Sequence, residues 1–194
     1  MRNRKLTWVL VAGLLAGCST APEKKPETLE KQKTGTHAPD HYRVRLDTSK
    51  GPVVLEVTRA WAPHAADRYY ELVKSGFYDE ARFYRVVRNF VAQFGINKDP
   101  KMSQLWGQLK MVDDPPQQKN KRGTLTFATS GPNTRTTQVF INLSDNRTLD
   151  GSGFVPFAKV VQGMDVVDSF YKVYGDTPPR GSGPDGVKIQ ALGN

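Results

Sequence analysis

From residue 41 onward the chain switches between two hydrophobic periods. Apolar side chains recur at every second position over 42–46 (Tyr42, Val44, Leu46) and 53–57 (Val53, Leu55, Val57), on either side of the polar stretch Asp47-Thr48-Ser49-Lys50-Gly51. A period of two interrupted by turn residues predicts a β-hairpin. Over 62–75 the period lengthens: Ala66, Tyr69, Tyr70 and Val73 share one helical face, Pro63 lies near the first turn, and Gly76 follows as a stop. These signals predict a helix, and Met164, Val167 and Phe170 predict a second, shorter one over 163–171. Residues 83–93 form a β-branched and aromatic run of strand character. In 138–142, Gln138, Phe140 and Asn142 fall on one face of a strand and Val139 and Ile141 on the other. Gly131-Pro132-Asn133 between them reads as a turn, and 187–191 as a closing strand. Short antiparallel strands with two separated helices predict a mainly β fold, a closed antiparallel barrel capped at its ends.

The first 40 residues follow other rules. Arg2, Arg4 and Lys5 precede an apolar run over 6–16, too short to cross roughly 30 Å of hydrocarbon as a helix. Residues 1–17 are therefore expected to be a signal peptide. Leu15-Ala16-Gly17-Cys18 resembles the bacterial lipobox, which implies lipidation of Cys18 and a membrane held through that lipid anchor. Residues 19–40 are rich in Lys, Glu, Thr and Pro and poor in large apolar side chains, so 18–40 is expected to be a lipidated cysteine and flexible tether, spanning about 25 Å. The folded domain is then 41–194, long enough to form one core without covalent staples.

Composition narrows the chemistry. Cys18 is the one cysteine of the chain, which leaves no thiol for a disulfide, a nucleophile or a metal. His37, His41 and His64 have no metal-ligand spacing, and no metal or cofactor is expected. Net charge is +9, or +6 from 25 basic and 19 acidic side chains once the three basic residues of the signal are removed. That balance favours anionic surfaces, but the Lys119, Lys121, Arg122 cluster reads as a solvated loop and nucleic acid is not an expected partner.

Three segments carry the chemistry. Residues 83–93 place Arg85 and Gln93 inside an apolar run. Ser130-Gly131-Pro132-Asn133-Thr134 and Gln138-Val139-Phe140-Ile141-Asn142 follow at fixed spacing. In this order the three resemble the cyclophilin family of peptidyl-prolyl isomerases, over residues 42–191. The resemblance implies an eight-stranded barrel and catalysis of cis-trans isomerisation at bonds preceding proline. It assigns Arg85 as transition-state donor, oriented by Gln93. Phe90, Val91, Phe127, Phe140 and Leu149 would form the proline pocket, with Ala128 and Thr129 beside the substrate backbone and Gln138 in the groove wall. Two positions depart from the family. Thr148 stands where well-studied members carry Trp, and 151–157 lacks their His, its space filled by Phe154. Residues 97–116 look like a family-variant loop. The expected protein is a monomeric, lipid-anchored isomerase of the bacterial envelope, facing the periplasm, with outer-membrane sorting implied by Ser19 after the cysteine, that accelerates folding of proline-containing extracytoplasmic proteins. The alternative is a binding module or holdase for proline segments with little isomerase activity.

Overall fold

A computed structural model describes residues 36–170, 172 and 175–193. The signal peptide, Cys18 and most of the tether lie outside these residues.

The hairpin forms as the alternation requires. Strands β1 (His41–Thr48) and β2 (Gly51–Thr58) pair antiparallel with Tyr42 opposite Val57, Val44 opposite Leu55 and Leu46 opposite Val53. Gly51 closes the turn at φ +127°, a conformation that side-chain-bearing residues rarely adopt. Helix α1 (Pro63–Lys74) begins on its proline and buries Ala65, Ala66, Tyr69 and Leu72. Its buried face is thus turned from the expected one, and Tyr70 and Val73 lie at its edge. Ala62 precedes the helix and offers no side-chain cap. Asp114, 50 residues away, accepts from the His64 and Ala65 N–H groups instead, at 2.8 and 3.0 Å.

The run at 83–93 is two strands rather than one. β3 (Arg85–Val87) and β4 (Val91–Phe94) fold back on each other through Arg88-Asn89-Phe90, with Asn89 at φ 55°. Residues 97–116 include helix α2 (Pro100–Gly107), capped by Asp99, whose carboxylate accepts from Lys101 N–H at 2.9 Å. The helix drives Trp106 into full burial edge-on to Phe77. β5 (Thr124–Phe127), β6 (Val139–Asn142) and β7 (Pro156–Gln162) follow, then α3 (Met164–Asp168), shorter than the expected 163–171 helix.

The seven strands form one antiparallel sheet in the order β1-β2-β7-β5-β6-β4-β3. This corrects the expected closed eight-stranded barrel: among the described residues β1 and β3 remain edge strands. The segment expected to close it is helix α4 (Gly186–Leu192). Alternation of Val187, Ile189 and Ala191 argues for a strand, but the Asp185 carboxylate accepts from Val187 and Lys188 N–H groups at 2.9 and 3.3 Å. That N-cap satisfies the first helical donors, and Val187 is left 78% exposed.

Register sorts the sheet into two faces. Val86, Ala92, Ile141, Leu125 and Ala158 lie side by side across β3, β4, β6, β5 and β7 and are all buried. They join Leu55, Tyr69, Phe127 and Phe157 in the core. One residue along, the cross-strand row is Arg85, Gln93, Phe140 and Thr126. Side chains alternate along a strand, so packing the first row inward turns the second to the other face.

Candidate active site

The second row opens onto a cleft of about 570 Å³. Arg85, Phe90, Val91, Gln93, Ala128, Thr129, Gln138, Phe140, Leu149 and Phe154 all line it. These residues come from β3, β4, β6 and the β3–β4, β5–β6 and β6–β7 connections, and the register above brings the three strands together. Phe127 does not reach the cleft. It alternates with Thr126, which shares the row of Phe140, so its ring turns inward and stacks on Phe157 with centroids 5.1 Å apart. The pairing of Leu125 with Phe127 against Thr124 and Thr126 in the sequence carried that signal.

Arg85 is held on two sides. Its Nη1 donates to Gln93 Oε1 at 3.0 Å, across the β3–β4 pair that sets the two residues opposite each other. Its Nε donates to Asp176 Oδ1 at 2.6 Å and its Nη2 to Asp176 Oδ2 at 3.3 Å. The guanidinium carbon also lies 5.5 Å from the centre of the Phe90 ring, which faces the cation. Hydrogen bonding from Arg85 holds the Asp176 carboxyl below the usual carboxylate range, against the opposing effect of partial burial.

Gln93 is itself fixed. Its Nε2 donates to Tyr84 Oη at 2.5 Å and to Gln138 Oε1 at 3.0 Å, and the Tyr84 hydroxyl donates to the same Gln138 oxygen. With both amide donors engaged away from Arg85, the Gln93 carbonyl oxygen is the atom presented to the guanidinium. Tyr84 is buried, and burial raises its hydroxyl pKa, so it serves as a neutral donor and acceptor. Sequence reasoning missed Tyr84 and Asp176. Tyr84 directly precedes Arg85 but on a strand it belongs to the opposite phase, and Asp176 is 91 residues away in a segment without periodicity.

The apolar end of the cleft is built by Phe140 and Phe154, edge-to-face with centroids 5.7 Å apart, together with Phe90, Val91 and Leu149. Phe154 lines the cleft. Its loop is tied down by Asn120, whose Nδ2 donates to Phe154 O at 2.8 Å and to Asp150 Oδ1 at 3.0 Å. Thr148 is exposed in a short 3-10 turn, Arg147–Leu149, and does not line the cleft.

The opposite loop is anchored by a buried ion network. Arg135 is fully buried. Its Nε donates to Asp113 at 2.8 Å, its Nη1 and Nη2 to Asp114 at 3.3 Å, and its Nη2 also to Val112 O at 2.6 Å. Asp113 and Asn133 exchange backbone-to-side-chain hydrogen bonds, each of 2.8 Å. The predicted turn at 131–133 is present, with Gly131 and Asn133 both at positive φ, and this network fixes the loop that carries Ala128 and Thr129 into the cleft.

The family model described as cyclophilin type peptidyl-prolyl cis-trans isomerase/CLD matches residues 43–193. A peptidyl-prolyl cis-trans isomerase of Acinetobacter baylyi is 35% identical over 143 residues, covering 71% of this chain and 76% of the relative. Peptidyl-prolyl cis-trans isomerase B of Escherichia coli is 35% identical over 139 residues, covering 64% of this chain and 81% of its own. Among solved structures, a cyclophilin type peptidyl-prolyl cis-trans isomerase of Cryptosporidium parvum superposes with a TM-score of 0.60 at 27% identity, covering 71% of this chain and 88% of that one. A second structure of that protein, solved in the presence of the dipeptide Ala-Pro, gives a TM-score of 0.59 at 27% identity and covers 70% and 89%.

Proposed function

The chain belongs to the cyclophilin-type peptidyl-prolyl cis-trans isomerase family, and from that premise we propose that Arg85 is its transition-state donor and that it acts on proline-containing proteins outside the cytoplasm. Rotation about the bond before proline faces a barrier of roughly 18–20 kcal/mol because amide resonance must be broken. No covalent bond breaks in this reaction. At the twisted midpoint the prolyl nitrogen gains a lone pair, so a donor aimed at it bonds the transition state and not the planar ground state. A guanidinium suits this role because it stays charged and presents its donors in a fixed fork.

The observation that carries this reading is the shared row of Arg85, Gln93 and Phe140 on the cleft face of the sheet. The row sets a cation, its orienting amide and an apolar ring side by side. Phe140, Phe154, Phe90, Val91 and Leu149 provide apolar surface for the proline ring, while Ala128, Thr129 and Gln138 lie where the substrate backbone would run. The Cryptosporidium protein studied with Ala-Pro supports a proline-containing segment as the occupant. Lowering the barrier by about 5 kcal/mol corresponds to roughly a thousandfold to ten-thousandfold.

Leu15-Ala16-Gly17-Cys18, preceded by a basic and then an apolar stretch, supports lipidation of Cys18 and tethering at the envelope, with Ser19 favouring the outer membrane of a two-membrane host. Several acyl chains make such anchoring stable, whereas one holds only marginally.

A protease-free isomerisation assay on the full chain tests the mechanism. Arg85→Ala should lower kcat about 100-fold or more, as expected for loss of a donor to a developing lone pair, with the fold intact by circular dichroism. Unchanged turnover overturns it. Fractionation with labelled fatty acid tests the place: wild type should be labelled and sediment with the outer membrane, and Cys18→Ala should not be labelled. A soluble, unlabelled wild type overturns the anchor.

A further inference from the structure

We propose that Asp176 is a positioning residue for the isomerase reaction, holding the Arg85 guanidinium in the plane and orientation from which it reaches the substrate. This rests on Arg85 being the donor.

Five N–H donors project from a guanidinium. Asp176 takes two of them, on Nε and Nη2, along one edge, and Gln93 takes one on Nη1. Two N–H groups remain, one on each terminal nitrogen, and Arg85 lines the cleft. A single bond to Gln93 would leave the planar group free to swing about that contact. A bidentate carboxylate removes this freedom, because two parallel bonds define a plane. The pair is also well enclosed: each side chain keeps only 16% of its exposure. Screening by water is correspondingly reduced.

The segment around Asp176 is built to deliver that carboxylate. Gly183 N–H donates to Asp176 O at 2.8 Å, and Arg180 N–H to Thr177 O at 3.1 Å. The backbone packs so closely that a Cβ on Gly181 would fall 2.3 Å from Asp176 O, and one on Gly183 would fall 2.8 Å from it. Thr177 N–H donates to Asp176 Oδ1 at 2.8 Å, which orients the carboxylate itself. Beyond it, Gly186 packs 3.4 Å, measured from an ideal Cβ, from the ring of Tyr84, the residue beside Arg85. Thr177 and Pro178 line the same cleft as Arg85. The C-terminal segment thus forms part of the cleft wall and reaches back to the donor.

The alternative role for such a contact is competition, with the carboxylate occupying the guanidinium in place of substrate. Among the described residues, Asp176 and Gln93 leave each terminal nitrogen one N–H unengaged and leave the cleft open, which favours positioning.

The test is a double-mutant cycle in the full chain, with kcat and KM read separately in the protease-free assay. Asp176→Ala should lower kcat about 10- to 100-fold, the scale of a misplaced reacting group, with little change in KM. Asp176→Glu should recover most of that loss, and Asp176→Asn, which keeps the acceptor for Thr177 N–H but not the charge, should fall between. In an Arg85→Ala background Asp176→Ala should have no further effect. The ¹⁵Nε–¹H resonance of Arg85 should be sharp and slowly exchanging in the wild type and broaden in Asp176→Ala. A kcat equal to or above wild type in Asp176→Ala, a change confined to KM, or a full additional loss in the Arg85→Ala background overturns the proposal. If Arg85→Ala itself is fully active, the donor assignment fails, whereas an inactive Arg85→Ala beside a fully active Asp176→Ala refutes the positioning role alone. Thermal melting of each variant identifies one that has failed to fold, and the Asp176→Asn and Asp176→Glu pair then carries the same comparison.

Discussion

Replacing Asp114 by Ala should destabilise the domain by about 4 kcal/mol, although the residue lies outside the cleft. Its carboxylate serves two elements at once: it caps α1 through the His64 and Ala65 N–H groups and neutralises Arg135. Side-chain exposure is 1% for Asp114 and 0% for Arg135, so water cannot replace either interaction. Breaking a buried pair by removing one partner costs roughly 3–5 kcal/mol. The lower end applies here, because Arg135 keeps Asp113 and the Val112 carbonyl. Loss of the cap adds about 1 kcal/mol. With a urea dependence of about 2 kcal/mol per molar, the midpoint should fall by about 2 M, read by far-ultraviolet circular dichroism and tryptophan fluorescence. Asp113→Ala makes the control: its side chain is 32% exposed, and the loss should be about 1 kcal/mol. Because Arg135 and Asp113 also hold the 131–133 turn, KM should rise in Asp114→Ala at temperatures where it stays folded. A loss below about 1.5 kcal/mol would refute the reasoning and show that the network is neutral relative to its solvated parts.

Three further outcomes follow from the same structure. Phe140→Ala should cost about 3–4 kcal/mol in urea unfolding and also lower kcat/KM, since a ring only 4% exposed both fills the cleft wall and packs on Phe154. Thr148→Ala should leave kcat/KM within about twofold of wild type in the protease-free assay, since its side chain is exposed and outside the cleft; a loss of about tenfold would refute that placement. Burial pushes the Asp67 carboxyl up, but hydrogen bonds from Arg59 and the Ala38 N–H outweigh it and leave its pKa lowered. The stability this contributes is fully present above the unfolded carboxyl value of about 3.9 and lost as pH falls through the lower folded value, so the gap in melting temperature between wild type and Asp67→Asn should close below about pH 4.

Local periodicity was sufficient wherever one face of an element meets the core and the other meets water. The β1–β2 hairpin, helix α1 from Pro63, and the division of 138–142 into Phe140 on one face and Ile141 on the other all follow from it, because a one-residue slip would expose the apolar set. Arg85, Gln93 and Phe140 were legible through a familial pattern of spacing, not through their own chemistry, since an Arg in a strand has the same local signature whether it is solvated or catalytic. Alternation in 124–127 also contained the inward turn of Phe127, which the family resemblance overrode. Tertiary structure decided what sequence neighbours cannot. The break of 83–93 at Asn89 depends on β4 pairing with β6, and the helix at 187–191 on the cap from Asp185, which outweighs a pattern compatible with a strand. Arg135 reads as a surface charge until Asp113, Asp114 and the Val112 carbonyl enclose it. Asp176 meets Arg85 only because the glycine-rich C-terminal segment folds back over β3. Long-range pairing of charges leaves no periodic trace along the chain, as it depends on which loops the closed core brings together.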